Sequence, residues 1–414
     1  MNSKIRGGYA LTLAGMLLAG CTANHAEPIA TVAATAPPAP QAMSTNAVAM
    51  PTDRNVLFWS QEQRAAAFRV MDQMPQLAES RTIAASGNAV SLPIGETLDL
   101  GDFDLDGFMQ EQSTAAIIVV LDGEIVLERY GLGFSADERW TSFSVAKSLT
   151  STLVGAAIVD GYITSLDDPV TDYITDLRGS AYDGVSIRQL LTMTSGVQWN
   201  EDYGDPNSDV AQFNNHVDED GFDPTVSYLR NLPRASDPGT NWNYSTGETN
   251  LVGVLVTEAT GKTLADYLSE KVWVPFGMAH DATWLLGNTG QEIAGCCIQA
   301  GTRDMARFGL LTLGDGMING ERVVPEGWFA EATSPVVSLG DSGRGYGYQW
   351  WTFPGEIYAA QGIFGQGIFI DPARNLVIAT NSNWPQASGG NGTGARTFGF
   401  YRAVMAAVDA RGSE

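Results

Sequence analysis

An α+β fold is predicted, with one antiparallel sheet interrupted by a helical insertion. Three observations carry this: β-rich runs over 115–130, further β-rich runs between 345 and 380, and helical patterning across the segment between them. In chain order, Ser60-Gln61-Glu62-Gln63 is a capping-box pattern ahead of an Ala-rich run, which predicts a short helix. The runs 115–121 and 124–130 are joined by Asp122-Gly123, a strong hairpin signal. Helical patterning begins at Ser144 and continues to about 159, returns over 187–193 and 249–259, and Lys262-Thr263-Leu264 reads as a helix start. Strand character resumes at 345–352, 357–361, 367–370 and 376–380. A helix over about 395–410 closes the chain, with Phe398, Tyr401, Val404, Met405 and Val408 on one side. The folded part is therefore expected over 55–410. Its sheet lobe would take about 55–143 and 340–410 and its helical lobe about 144–339, with a site in the cleft between them.

The 414 residues amount to roughly two to three domain lengths, and 44% apolar residues with 17% charged exclude disorder of the whole chain. Twenty-three Lys and Arg against 47 Asp and Glu leave a net charge of −24. Nucleic acid and anionic membrane faces would be repelled by such a field. The sequence has only Lys4, Lys147, Lys262 and Lys271, and only His25, His216 and His280, so few side chains can serve as a base near neutral pH.

Lys4 and Arg6 precede an apolar run over 10–19 that ends in Leu18-Ala19-Gly20-Cys21. The run is shorter than the about 20 residues a membrane span needs, and it fits a secretory leader over 1–20. It resembles the lipobox of bacterial lipoproteins, which implies cleavage before Cys21 and a diacylglycerol on its sulfur. An ordinary signal peptide with an incidental cysteine is the alternative. Thr22 in place of Asp favours the outer membrane of a Gram-negative cell, with the protein exported and facing the periplasm. Residues 21–54, rich in Ala, Pro and Thr, cannot bury enough to order themselves and read as a tether.

Cys296 and Cys297 are adjacent. Neighbouring Cα atoms lie about 3.8 Å apart, below the usual disulfide range of about 4.4–6.8 Å, so two reduced, buried thiols are expected. No histidine shows ligand spacing to them, and no metal or cofactor is expected.

Ser144-Val145-Ala146-Lys147 is an S-x-x-K pattern opening an apolar helix. Residues three apart share a helix face at about 5–6 Å between Cβ atoms, so the hydroxyl and the amine can meet. Alone the motif is weak, and a surface lysine would explain it. Around it, in order, stand 187–196 (Ile-Arg-Gln-Leu-Leu-Thr-Met-Thr-Ser-Gly), Trp242-Asn243-Tyr244-Ser245-Thr246-Gly247, 301–309 (Gly-Thr-Arg-Asp-Met-Ala-Arg-Phe-Gly) and Gly362-Ile363-Phe364-Gly365-Gln366. This series resembles the β-lactamase-related serine hydrolases, the superfamily of class C β-lactamases, esterases and D-alanyl peptidases, and above all the 6-aminohexanoate-dimer hydrolases, over about 55–405. The resemblance implies a β-lactamase/transpeptidase-like fold and an acyl-enzyme mechanism on a small-molecule amide or ester. It also implies Ser144 as nucleophile, Lys147 as its base, Tyr244 as the second acid/base, and the backbone N–H groups of Ser144 and Ile363 as oxyanion hole. Physics supports the base: an ordinary lysine is neutral in only about one part in 10³ at pH 7, and desolvation in a cleft corrects this.

Departures from the family pattern bear on substrate. Thr246 stands where β-lactam-processing relatives carry Asn, and Gly362-Ile363-Phe364 stands where they carry Lys-Thr-Gly. Without a cation there, a substrate carboxylate lacks its usual partner, which argues for an apolar or amine-bearing substrate. Thr246, Gly362 and Phe364 are the candidate substrate-binding residues. Tyr203 joins them, because Glu201-Asp202-Tyr203-Gly204-Asp205-Pro206 resembles the loop that brings a tyrosine over the substrate in nylon-oligomer enzymes.

Other motifs weigh less. Gly340-Asp341-Ser342-Gly343 imitates a chymotrypsin-type loop but has no histidine partner motif. Asp102 to Gly107 matches half an EF-hand, with Ser113 at the position of the bidentate Glu, so a capped turn is the better reading. Ser388 to Gly394 reads as a flexible loop. The rival functions are a β-lactamase or D-alanyl-D-alanine carboxypeptidase and, from another class, a non-turnover β-lactam sensor or envelope-binding lipoprotein. The oligomeric state is open.

Overall fold

The computed structural model describes residues 50–213, 215–217 and 221–412, so the leader, Cys21 and the tether as far as residue 49 lie outside the described residues. Residues 51–54, expected within the tether, are held by contacts with the rest of the chain. Pro51 is buried and its carbonyl accepts from Gln76, while Arg54 donates to the Gln76 carbonyl and to Asn288 Oδ1. Partners supplied by distant segments order these residues, and composition carries no trace of them.

In chain order the strands are β1 (Ser80–Ile83), β2 (Thr114–Leu121), β3 (Glu124–Tyr130), β4 (Trp140–Thr141), β5 (Ala282–Leu285), β6 (Ile298–Ala300), β7 (Met317–Ile318), β8 (Glu321–Arg322), β9 (Val337–Ser338), β10 (Gly345–Tyr346), β11 (Trp351–Phe353), β12 (Ile357–Gly362), β13 (Gln366–Asp371) and β14 (Leu376–Ser382). The α-helices are α1 (Gln61–Ala67), α2 (Leu105–Glu111), α3 (Ala146–Val159), α4 (Ile187–Leu191), α5 (Asp209–Phe213), α6 (Pro224–Arg230), α7 (Thr246–Thr260), α8 (Leu264–Leu268), α9 (Thr302–Leu313), α10 (Trp328–Ala332) and α11 (Thr393–Arg411).

The main sheet runs β3-β2-β14-β13-β12-β11-β10-β9 and is antiparallel at every pairing. Asp122 and Gly123 turn the β2–β3 hairpin with φ of 51° and 83°, the positive pair that a two-residue type I′ turn needs. The sheet is covered on both faces, which is why β2 is apolar at nearly every position. Ile118 and Val120 pack toward the helical side with Phe308 of α9, whereas Ile117 and Val119 pack with Phe400, Tyr401 and Val404 of α11. The predicted apolar face of the last helix is therefore in the core, and the α+β class holds.

Three local expectations change. The run 345–352 is two strands, split at Gln349, whose φ is 64° and whose amide donates to the Leu190 and Leu191 carbonyls. A buried polar side chain satisfied that way leaves the ladder. A second sheet, β1-β5-β6-β4, places two strands inside the segment read as helical. Runs of two to four residues are too short to show a period. The 187–193 helix stops at Leu191, and Gly196 follows with φ of 75° and its Cα so close to the Ser236 carbonyl that a Cβ would collide. As expected, Ser60 and Gln63 form a reciprocal capping box and Thr263 caps α8, whereas Asp104, expected in a capped turn, caps the helix α2.

Candidate active site

Phe143–Val145 makes a 3₁₀ turn that runs directly into α3. Its geometry is over-determined. Ser142 N–H donates to the Ile298 carbonyl at 2.8 Å, and Ile298 N–H donates to Ser142 Oγ at 3.0 Å. Phe143, held at φ of 42°, is buried against Phe68 and Phe364. Strain of this kind persists only where the surroundings enforce it. The result is Ser144 at the wall of a cavity of about 180 Å³.

Lys147 lies one helical turn on and is 1% exposed. Its Nζ is 3.2 Å from Ser144 Oγ, 3.0 Å from Thr246 Oγ1 and 2.8 Å from the Gly295 carbonyl. Burial pulls the amine down to about 8, against a smaller opposing pull from the Glu201 carboxylate. The S-x-x-K spacing thus delivers the contact expected of it, and the desolvation that a lysine base needs is present.

Tyr244 lies beside the amine. Its ring centroid is 5.3 Å from Lys147 Nζ and 5.5 Å from the ring of Trp351, which stacks on it. Burial raises its hydroxyl well above the ordinary phenol value, Glu201 adds to this, and a hydrogen bond with Ser144 opposes it. At neutral pH the phenol therefore holds its proton. Tyr203 lines the cavity, and its hydroxyl donates to Glu201 Oε1 at 2.8 Å. Thr246 also lines the cavity, but its hydroxyl is already committed to Lys147 and Glu201.

At the end of β12, Gly362 lies hard against the nucleophile turn. A Cβ there would stand 2.7 Å from the Ser142 carbonyl and 3.1 Å from Ser144 N. Only glycine lets the strand end come this close, so Gly362 sets the approach of Ile363 to Ser144 and does not itself line the cavity. Ile363 does line it. Phe364 does not: it is 1% exposed, packed on Phe68 and Phe143 beneath the Arg64 guanidinium. Its φ of 59° turns the side chain into the core, which removes it from the substrate-binding candidates.

Cys296 and Cys297 also line the cavity and form a disulfide with each other, in place of the two thiols expected. The expectation weighed Cα separation alone, whereas the left-handed turn at Cys297, φ 74°, lets adjacent side chains meet. The cavity lining also brings Arg54 together with Asp223 and Glu292, charges that no motif indicated. Among the described residues no group of three or more His, Cys, Asp or Glu could hold a metal ion. His216 lines the cavity and hydrogen-bonds Ser227, while 340–343 is an exposed loop away from it.

Glu201 is the participant that sequence reasoning passed over as part of an acidic loop. Four donors converge on its carboxylate: Thr246 Oγ1 and Tyr203 OH on Oε1, Thr246 N–H and Trp199 Nε1 on Oε2. Its four donors distinguish it from the exposed Asp202 and from Asp205, which is half-buried like Glu201 itself.

The β-lactamase family model matches residues 104–397. The 6-aminohexanoate-dimer hydrolase of Paenarthrobacter ureafaciens is 33% identical over 323 residues, which are 74% of this chain and 82% of that one. A Bacillus anthracis structure named for 6-aminohexanoate-dimer hydrolase superposes with a TM-score of 0.73 at 24% identity, over 83% of this chain and 93% of its own. A family VIII carboxylesterase structure gives a TM-score of 0.56 at 18% identity, over 75% of this chain and 99% of its own.

Proposed function

Because the chain belongs to the β-lactamase family of serine hydrolases, we propose that it cleaves a small amide or ester through an acyl-enzyme on Ser144. The observation that carries the assignment is the buried Lys147 amine, 3.2 Å from the Ser144 hydroxyl. Ser144 Oγ attacks the substrate carbonyl carbon while its proton passes to Lys147 Nζ. The N–H groups of Ser144 and Ile363 hold the resulting oxyanion. Tyr244 gives its proton to the departing amine or alkoxide and is reprotonated from Lys147. Water then attacks the acyl-enzyme by the reverse proton path and releases the acid.

The 6-aminohexanoate-dimer hydrolase relative and the missing lysine at Gly362-Ile363-Phe364 favour linear amides and simple esters over β-lactams. Turnover of p-nitrophenyl butyrate, nitrocefin and a linear 6-aminohexanoate dimer tests this. Hydrolysis of the ester or the linear amide is expected to outpace nitrocefin at equal concentration; nitrocefin turnover above both would move the protein to the β-lactamases.

We also propose that the protein is exported and held to the cell envelope by lipid on Cys21, on the strength of Leu18-Ala19-Gly20-Cys21 behind an apolar run. Metabolic labelling with a fatty-acid analogue is expected to mark the full chain and not its Cys21→Ala variant. Equal labelling of both would overturn the anchor.

A further inference from the structure

Beyond the serine, lysine and tyrosine, we propose that Glu201 is a positioning residue. It sets the direction of the hydrogen-bond chain from Thr246 to Lys147, so that the amine's lone pair is left for the Ser144 proton. The inference rests on Lys147 being the base.

A count of protons carries it. Thr246 has one hydroxyl proton, and Glu201 Oε1, which can only accept at that contact, takes it. The Thr246 oxygen must then accept from Lys147 Nζ, 3.0 Å away. The Gly295 carbonyl, 2.8 Å from the same nitrogen, can also only accept. A neutral amine has two protons, and both are now spent. Its lone pair faces the third partner, Ser144 Oγ at 3.2 Å, and can receive only the serine proton. If the Thr246 proton were free to turn toward Lys147, the lone pair would be occupied and the base idle.

Glu201 is itself fixed for this task. Oε2 accepts from Thr246 N–H at 2.9 Å, at the start of α7, and from the Trp199 indole, while Oε1 also accepts from Tyr203. Rotation of the carboxylate would break all four contacts. Four titratable groups feel its charge: Lys147 on α3, Tyr203 on its own loop, Tyr244 ahead of α7 and Tyr346 on β10. The charge opposes the neutral amine, so what Glu201 contributes to the base is orientation and not a lowered proton affinity.

Glu201→Gln separates the two effects. An amide cannot accept on both sides: one orientation sets its NH₂ against the Thr246 and Trp199 N–H donors, and the other aims it at the Thr246 hydroxyl. Plateau kcat is expected to fall roughly 10- to 100-fold, part of the about 10²–10⁴-fold that general-base catalysis contributes. The acidic limb of the pH profile is expected to move to lower pH, because the charge that holds Lys147 up is gone. Thr246→Val should lower kcat similarly, Thr246→Ser should restore it to within about threefold, and the Glu201→Gln/Thr246→Val pair should be no worse than the poorer single variant. Wild-type kcat with a wild-type pH profile in Glu201→Gln, or multiplying losses in the pair, would overturn the proposal. Should Glu201→Gln fail to fold, equal activity of Thr246→Val and Thr246→Ser would overturn it equally. Fluorophosphonate labelling of each variant, mapped by peptide mass, keeps the premise separate: a label away from Ser144 refutes the catalytic assignment, whereas a label on Ser144 in a fully active Glu201→Gln refutes only the role of Glu201.

Discussion

Ser144→Ala is expected to fold normally and to lose ester and amide hydrolysis by at least about 10⁴-fold, together with all covalent labelling by a fluorophosphonate. The size follows from comparable serine enzymes, in which removing the nucleophile costs about 10⁶ in kcat and the remaining catalysis comes from the oxyanion hole and binding. Folding should survive because the turn is held by others. Ser142 is bonded to Ile298 in both directions, and Phe143 is locked among aromatic rings. An alanine at 144 removes one hydroxyl from the cavity wall and takes nothing from those contacts. Circular dichroism and the thermal midpoint, read beside the labelling gel, check both halves. A variant that is folded and still labelled would place the nucleophile elsewhere in the chain.

The second large effect belongs to Lys147. With its amine pulled down to about 8 by burial, about one molecule in ten carries the neutral form at pH 7, against about one in 10³ for an ordinary lysine. The sign of the pH dependence follows directly. The base works only when deprotonated, so kcat/KM should rise about tenfold per pH unit below pH 8 and level off above it. Lys147→Ala should remove that limb and cut the acylation rate by about 10²–10⁴-fold, as the loss of a general base does. Stopped-flow measurement of the acylation burst over pH 5.5–10 reads both. A flat wild-type profile, or a Lys147→Ala variant that acylates at the wild-type rate, is incompatible with the lysine as base. The net charge of −24 shifts the limb little, since charges beyond about 8 Å are screened at physiological salt.

Much of the site was legible because its first contact is local. Ser144 and Lys147 meet across one helical turn, and spacing alone says so. The Asp122-Gly123 hairpin and the Ser60 capping box were legible for the same reason: each depends on residues a few positions apart. Phe364 misled because its motif position is that of a site residue, while its backbone, at a positive φ, points the ring away. The Cys296–Cys297 bond misled because a Cα–Cα distance by itself says nothing of a left-handed turn.

By itself, then, the sequence determined the α+β class, the strands and helices at the two ends of the folded part, the hydroxyl–amine pair and the family resemblance. All of these are carried by short-range spacing and by motifs in series. Only the tertiary structure decided what surrounds that pair: the Gly295 carbonyl 148 positions from Lys147, and the Glu201 carboxylate 45 positions from Thr246. The physical reason is that an amine's protonation and the direction of its hydrogen bonds depend on which groups have replaced water around it, and those groups arrive from segments that meet only once the chain has folded.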